Sequence, residues 1–230
     1  MIDIILLAIL AGVAYMVAEE GIWGAVLNFF IVVFAGLLAM DFFEPMAEFL
    51  GKSLPAWNNR MDFIALIGLF AIFVGLGRWA SVYLSPTQLE INSNLYQVGR
   101  WVFGVATGYV TMAIFLTSLH TANMPRNFWG FEPERKNLFG LASPDRQWLA
   151  FTQHVSEDVC RGYRPFDAIL YQVPGTNDEA HKFTLSTFPI KYATRRERAY
   201  GGTGSAPPPP VAPQGGGGGG TPGGGPAPAF

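Results

Sequence analysis

Residues Gly21 to Met40 read GIWGAVLNFFIVVFAGLLAM, twenty positions without a charge. At a rise of 1.5 Å per residue they make a helix about 30 Å long, the thickness of a bilayer's hydrocarbon core. In that core every backbone N–H and C=O must find its partner within the segment, so an uncharged run of this length is a spanning helix. The run ends in Asp41-Phe-Phe-Glu44-Pro45, which predicts a span over 21–42 and a separate short interfacial helix from Glu44 to Leu50, with proline in its first turn.

Working outward, Ile4 to Ala18 is also uncharged but covers only about 22 Å. It predicts a short helix over 2–18 that either spans thinly or is partly re-entrant, joined to the next through Gly21 and Gly24. Its start Met1-Ile2-Asp3 and its end Glu19-Glu20 lack the positive leader and small-residue cleavage site of a signal peptide. On the other side, Gly51 to Arg60 has a loop composition. Phe63 to Leu84 predicts a third span over 61–84, broken only by Arg78, which reads as a snorkelling side chain beside Trp79 and Tyr83 at the interface. Ser85 to Gly99 reads as a polar connector, and Trp101 to Ala122 supports a fourth span over 98–122. Its Gly104 and Gly108 form a GxxxG pair, which lets a neighbouring backbone approach closely, either inside the bundle or as a face for self-association. Residues 1–122 therefore form a four-helix transmembrane unit of an all-α, polytopic membrane protein, with the lipid bilayer as its first partner.

Beyond Ala122 the chemistry changes, because eleven of the fifteen Lys and Arg lie there. Residues 123–200 read as an aqueous or interfacial segment, with Phe128, Trp129 and Phe131 resting on the membrane interface. Ser143-Pro144-Asp145 is a helix start, with a capping hydroxyl, proline at the first position and an acid in the first turn. Trp148, Phe151, Val155 and Val159 follow at spacings of three and four, which predicts an amphipathic interaction helix over 144–160 whose apolar stripe docks on its own chain or on a partner. Gly162 to Tyr200 shows little periodicity and predicts no element. Residues 201–230 are Gly, Pro, Ala, Ser and Thr with hardly any other residue type and no charge, a composition that cannot bury enough apolar surface to fold.

No catalytic, cofactor or metal site is expected. Cys160 is the only cysteine, and His120, His154 and His181 lack metal-ligand spacing. Glu19/Glu20 and Glu44/Glu48 have no base or nucleophile beside them in sequence. Gly75-x-Gly77 lies inside an apolar helix and has no phosphate-loop setting. The basic run Arg195-Arg196-Glu197-Arg198 is too short for a nucleic-acid footprint. Two function classes remain: an accessory protein acting through other membrane proteins, and a small oligomeric channel or transporter with Arg78, Arg100 or the early acids along its path.

The order of these features resembles a known family. Asp3 opens a short first helix, Gly21-Ile-Trp-Gly24 makes the turn, the second span ends in Asp41-Phe-Phe-Glu-Pro45 and the third in Gly77-Arg78. Val98-Gly-Arg100-Trp-Val-Phe-Gly104-Val-Ala-Thr-Gly108 then opens the fourth. Together they resemble the CvpA, or colicin V production protein, family of bacterial membrane proteins over roughly Met1 to Leu119. The resemblance implies about four transmembrane helices in the bacterial inner membrane and a link to toxin production, secretion and envelope integrity, with no catalytic residue to carry over. It departs at Glu19-Glu20, where the family's first turn is commonly basic. Family topology puts the termini outside the cytoplasm, whereas the count of Lys and Arg beside the spans puts them inside, so both orientations stay open.

Overall fold

The computed structural model describes residues 2–53, 60–84, 93–122, 131, 136–156, 168–172, 182–186, 188 and 192. Four long helices carry the chain across the membrane: α1 (Ile2–Glu19), α2 (Gly21–Ser53), α3 (Met61–Leu84) and α4 (Ser93–Thr121). Each is long and apolar enough to span, and each keeps most of its apolar stretch facing outward or only partly covered, except α4. More than half of α4's apolar window is buried, because it packs against α1, α2 and a fifth helix, α5 (Pro144–His154). α2 packs in turn against α3, so the spans sit in the order α1, α4, α2, α3.

Two boundaries differ from the sequence reading. α2 does not stop near residue 42; it runs unbroken to Ser53 with Pro45 inside it. An internal proline removes one backbone hydrogen bond, but here the helix is gripped on both sides of the break. Phe43 and Ala47 are buried in a cluster with Met61, Leu66 and Leu69 of α3, and the Phe43 ring meets Phe188 edge-on, 6.1 Å between centroids. The expected separate helix from Glu44 to Leu50 is thus the last turns of α2. α4 likewise begins at Ser93, earlier than the expected 98, so part of the supposed polar connector is helical. There Tyr96 reaches back over the α1–α2 turn and lies against Gly21, whose φ of +81° only glycine adopts without strain.

The segment after the spans folds back on the bundle. Lys136 to Ser143 forms a tight loop closed by a bridge between Leu138 and Ala142, with Gly140 at positive φ. Phe131, expected at the interface, is buried among Ile2, Leu6, Met112 and Leu116; Phe128 and Trp129 lie outside the described residues. The stretch from 162 to 200, in which no element was expected, contains two short strands, β1 (Ala168–Gln172) and β2 (Lys182–Ser186), paired antiparallel from Ala168–Ser186 to Gln172–Lys182. AILYQ and KFTLS contain Ile, Tyr, Phe and Thr, which favour strands, but the nine residues between them in sequence exceed the spacing of about two to five residues that flags a hairpin. The membrane-embedded fold remains all-α. Residues 201–230 lie outside the described residues, so the expected disordered tail does too.

Candidate functional site

Among the described residues a polar site with an ionisable pair lies at each end of the apolar bundle, and a cleft runs from the first. The first is built at the α1–α2 turn. Glu20 follows the last residue of α1, and two side chains converge on its carboxylate: Arg78 Nη2 from α3 and Asn28 Nδ2 from α2. Asn28 also donates to the Gly24 carbonyl at 3.0 Å and is almost fully buried, whereas Arg78 and Glu20 keep 46% and 33% of their side-chain surface exposed. Arg78 therefore does not simply snorkel to water. Its partner lies 58 positions earlier, in the turn that sequence counting left without a base.

Beneath this triad lies a cleft of about 500 Å³ to which all four spans contribute. Val13 and Val17 of α1 form one wall and Val74 and Gly75 of α3 another, with Thr107 and Thr111 of α4 behind. Both threonine hydroxyls donate to carbonyls four residues earlier in their own helix, so the back wall offers the cleft mainly methyl groups. Arg78 and Asn28 stand at the polar mouth.

The second site lies at the opposite end. His120, in the last turn of α4, meets Asp145, in the first turn of α5, with Nε2 to Oδ2 at 2.7 Å. The Asp145 side chain has no exposed surface and that of His120 only 8%. Phe131 stands edge-on to the imidazole, 5.1 Å between centroids. Asp145 is thus not an acid merely favouring a helix N-terminus; it ties α5 to the bundle. The expected Ser143 cap is corrected too: its hydroxyl makes no capping bond, and its carbonyl accepts from the Gln147 N–H at 3.1 Å.

The other sequence candidates fall into structural roles. Gly104 and Gly108 face α1, where a Cβ would come within 2.7 Å of the Ala14 carbonyl oxygen and 2.6 Å of the Leu10 one. The GxxxG face is therefore filled by the chain's own first helix, and self-association through it has no free surface. At Gly24 a Cβ would come within 2.8 Å of the Glu20 Cβ, so this glycine makes room for the stem of the Glu20 side chain. Asp3 Oδ1 accepts from the Phe139 N–H at 2.7 Å and pins the loop after the spans to the start of α1. Arg100 is not part of the cleft wall; its guanidinium lies 5.8 Å from the ring centroid of Trp101.

The interaction helix docks on its own chain. α5 ends at His154, short of the expected 160, and Val159 lies outside the described residues. Trp148 is buried against Ala113 and Ile114 of α4 and over Gly36 of α2, where any side chain would collide with its ring. Phe151 stays 40% exposed and Val155 half-buried, so the stripe is only partly used. Among the described residues no three His, Cys, Asp or Glu cluster as metal ligands would.

Sequence reasoning missed Asn28, Gly36, and the pairings of Glu20 and His120. Asn28 carried a signal, being the one side-chain amide in the uncharged run from 21 to 40. The pairings carried none, since they join residues far apart in the chain.

The family model described as colicin V production protein matches residues 2–132. No curated protein and no solved structure matches the chain.

Proposed function

Because the chain belongs to the colicin V production protein family, we propose that it is an accessory protein of the bacterial inner membrane that supports toxin export or envelope homeostasis by binding other membrane components, without catalysis of its own. The observation that carries this reading is the cleft, a concavity of about 500 Å³ that the chain's own side chains leave open on a surface otherwise made for lipid. The polar groups support it too. Arg78 and Asn28 both engage Glu20, and His120 engages Asp145, which suits positioning better than proton transfer to a substrate.

The alternative of an oligomeric channel is less well supported. An aqueous path needs polar groups turned into it, and the cleft's threonines turn theirs back to the helix.

The test is a strain from which the chain is deleted, complemented with the wild type. Loss of peptide-toxin secretion or of detergent resistance, restored by the wild type, is the expected result. Secretion and resistance equal to the parent strain's would dispose of the proposal. Flux of small ions through liposomes that depends on the protein would favour the channel instead.

A further inference from the structure

We infer that the cleft between α1 and α3 holds one membrane glycerophospholipid, an acyl chain lying along its apolar wall and the phosphate diester on Arg78, an inference that rests on the accessory reading and names the bound component. Three observations carry it. The cleft is amphipathic along its length, with Arg78 and Asn28 at one end and apolar side chains such as Val13, Val74 and Phe115 along the rest. On α3 it extends from Arg78 to Ile67, eleven residues, which is about 16 Å of helix. That is the depth of one leaflet, half of a hydrocarbon core of about 30 Å. A partner's spanning helix would be expected to need a trough of the full thickness.

The third observation is the state of Arg78. Its contact with Glu20 runs through Nη2, and 46% of the side chain remains exposed, which leaves guanidinium N–H groups for a second anion. Glu20, itself held by Asn28, keeps the guanidinium at the level where the apolar run of α1 ends, the place where a phosphate meets the hydrocarbon boundary. Arg–phosphate hydrogen bonds are charge-assisted and strong, and the bond to Glu20 fixes the donor in advance.

The experiment is native mass spectrometry of the full chain, purified in detergent and titrated with dioleoyl phosphatidylglycerol or with dioleoylglycerol, which has the same chains and no phosphate. One phospholipid per chain should survive detergent removal in the gas phase, and dioleoylglycerol should bind about tenfold more weakly, the worth of one charge-assisted hydrogen bond. Arg78→Gln should bring the phospholipid down to the dioleoylglycerol level. Gly75→Trp should abolish retention, since a side chain there enters the open cleft and meets nothing within 4 Å of its Cβ. Ala71→Phe, four residues away on the same wall, is a second filler in case the first does not fold. Gly12→Trp, equally uncrowded on α1 but outside the cleft wall, should retain the lipid.

Retention that is equal in the wild type and all variants marks ordinary annular lipid and overturns the inference. So does equal binding of the two lipids, and so does a dimer without bound phospholipid that Gly75→Trp dissociates, which would give the cleft to a second copy. If the cleft variants lose the lipid while the deletion strain behaves like its parent, the lipid site stands and the accessory role falls.

Discussion

The two ends of the bundle each hold an ionisable pair that joins a span to a distant part of the chain, yet they differ in burial. Glu20 and Arg78 meet with a third to a half of each side chain exposed at the mouth of an open cleft, whereas Asp145 and His120 meet with almost none. At the headgroup boundary, where water and ions reach it, a half-exposed pair is screened and gains little, so the first end can trade contacts with a ligand at small cost to the fold. A buried pair that loses one member leaves the other desolvated without compensation, so the second end works as a fastening. Exposure separates the end suited to binding from the end that holds the molecule together.

The largest expected effect breaks the fastened end. Asp145→Ala should lower stability by about 3–5 kcal/mol, read as the midpoint of denaturant-driven loss of helicity in mixed micelles. The double variant His120→Leu with Asp145→Leu should recover much of that loss, because neither member of the pair is then buried without the other. A cost below about 1 kcal/mol for the single variant would mean that the pair does not fasten α5.

Next comes the contact between α1 and α4. Gly108→Leu places a Cβ 2.6 Å from the Leu10 carbonyl oxygen, and a backbone atom cannot swing aside as a side chain can. A loss of about 3 kcal/mol, the upper part of the overpacking range, should appear as a lower thermal midpoint. Gly12→Ala, with open space around it, should leave that midpoint unchanged or raise it, a gain in stability of up to about 1 kcal/mol. Equal midpoints for the two variants would show that the α1–α4 approach is not close.

A smaller effect concerns the seat of Trp148. Gly36→Ala brings a Cβ within 2.6 Å of the indole and should loosen α5 by about 1.4 kcal/mol. Thr152 is buried on α5, so a Thr152→Cys probe in a Cys160→Ser background should react about tenfold faster with a thiol reagent once Gly36 is replaced. An unchanged rate would place the hold on α5 in its polar ties to α4, His120–Asp145 and Tyr109–Gln147, and not in the seat of Trp148.

The smallest effect is at the open end. Arg78→Gln should change stability by less than about 1 kcal/mol, since the ion pair it removes is half-exposed. A loss near that of Asp145→Ala would erase the contrast between the two ends.

Much of the membrane fold was legible in the chain itself. Uncharged apolar runs located all four spans, because a bilayer forces each segment to satisfy its own backbone, although α2 ran on to Ser53 and α4 began at Ser93. The GxxxG pair announced a close helix approach, and the spacing of Trp148 and Phe151 announced a docking helix. The signals that misled were local ones overruled by packing. Pro45 looked like a break until Phe43 and Ala47 proved to be held by α3, and Ser143 looked like a cap.

What only the tertiary structure decided is which polar residues meet. Glu20, Asn28 and Arg78 lie on three elements, and His120 and Asp145 are 25 positions apart. Apolar length is written along a single helix and can be counted there. A pairing depends on the order in which helices pack and on their rotation about their own axes, and in lipid that order comes from small residues and close contacts spread over several spans. The cleft is a consequence of the same order: α1 and α3 end up on either side of α4 and α2, and the space between them belongs to no stretch of sequence.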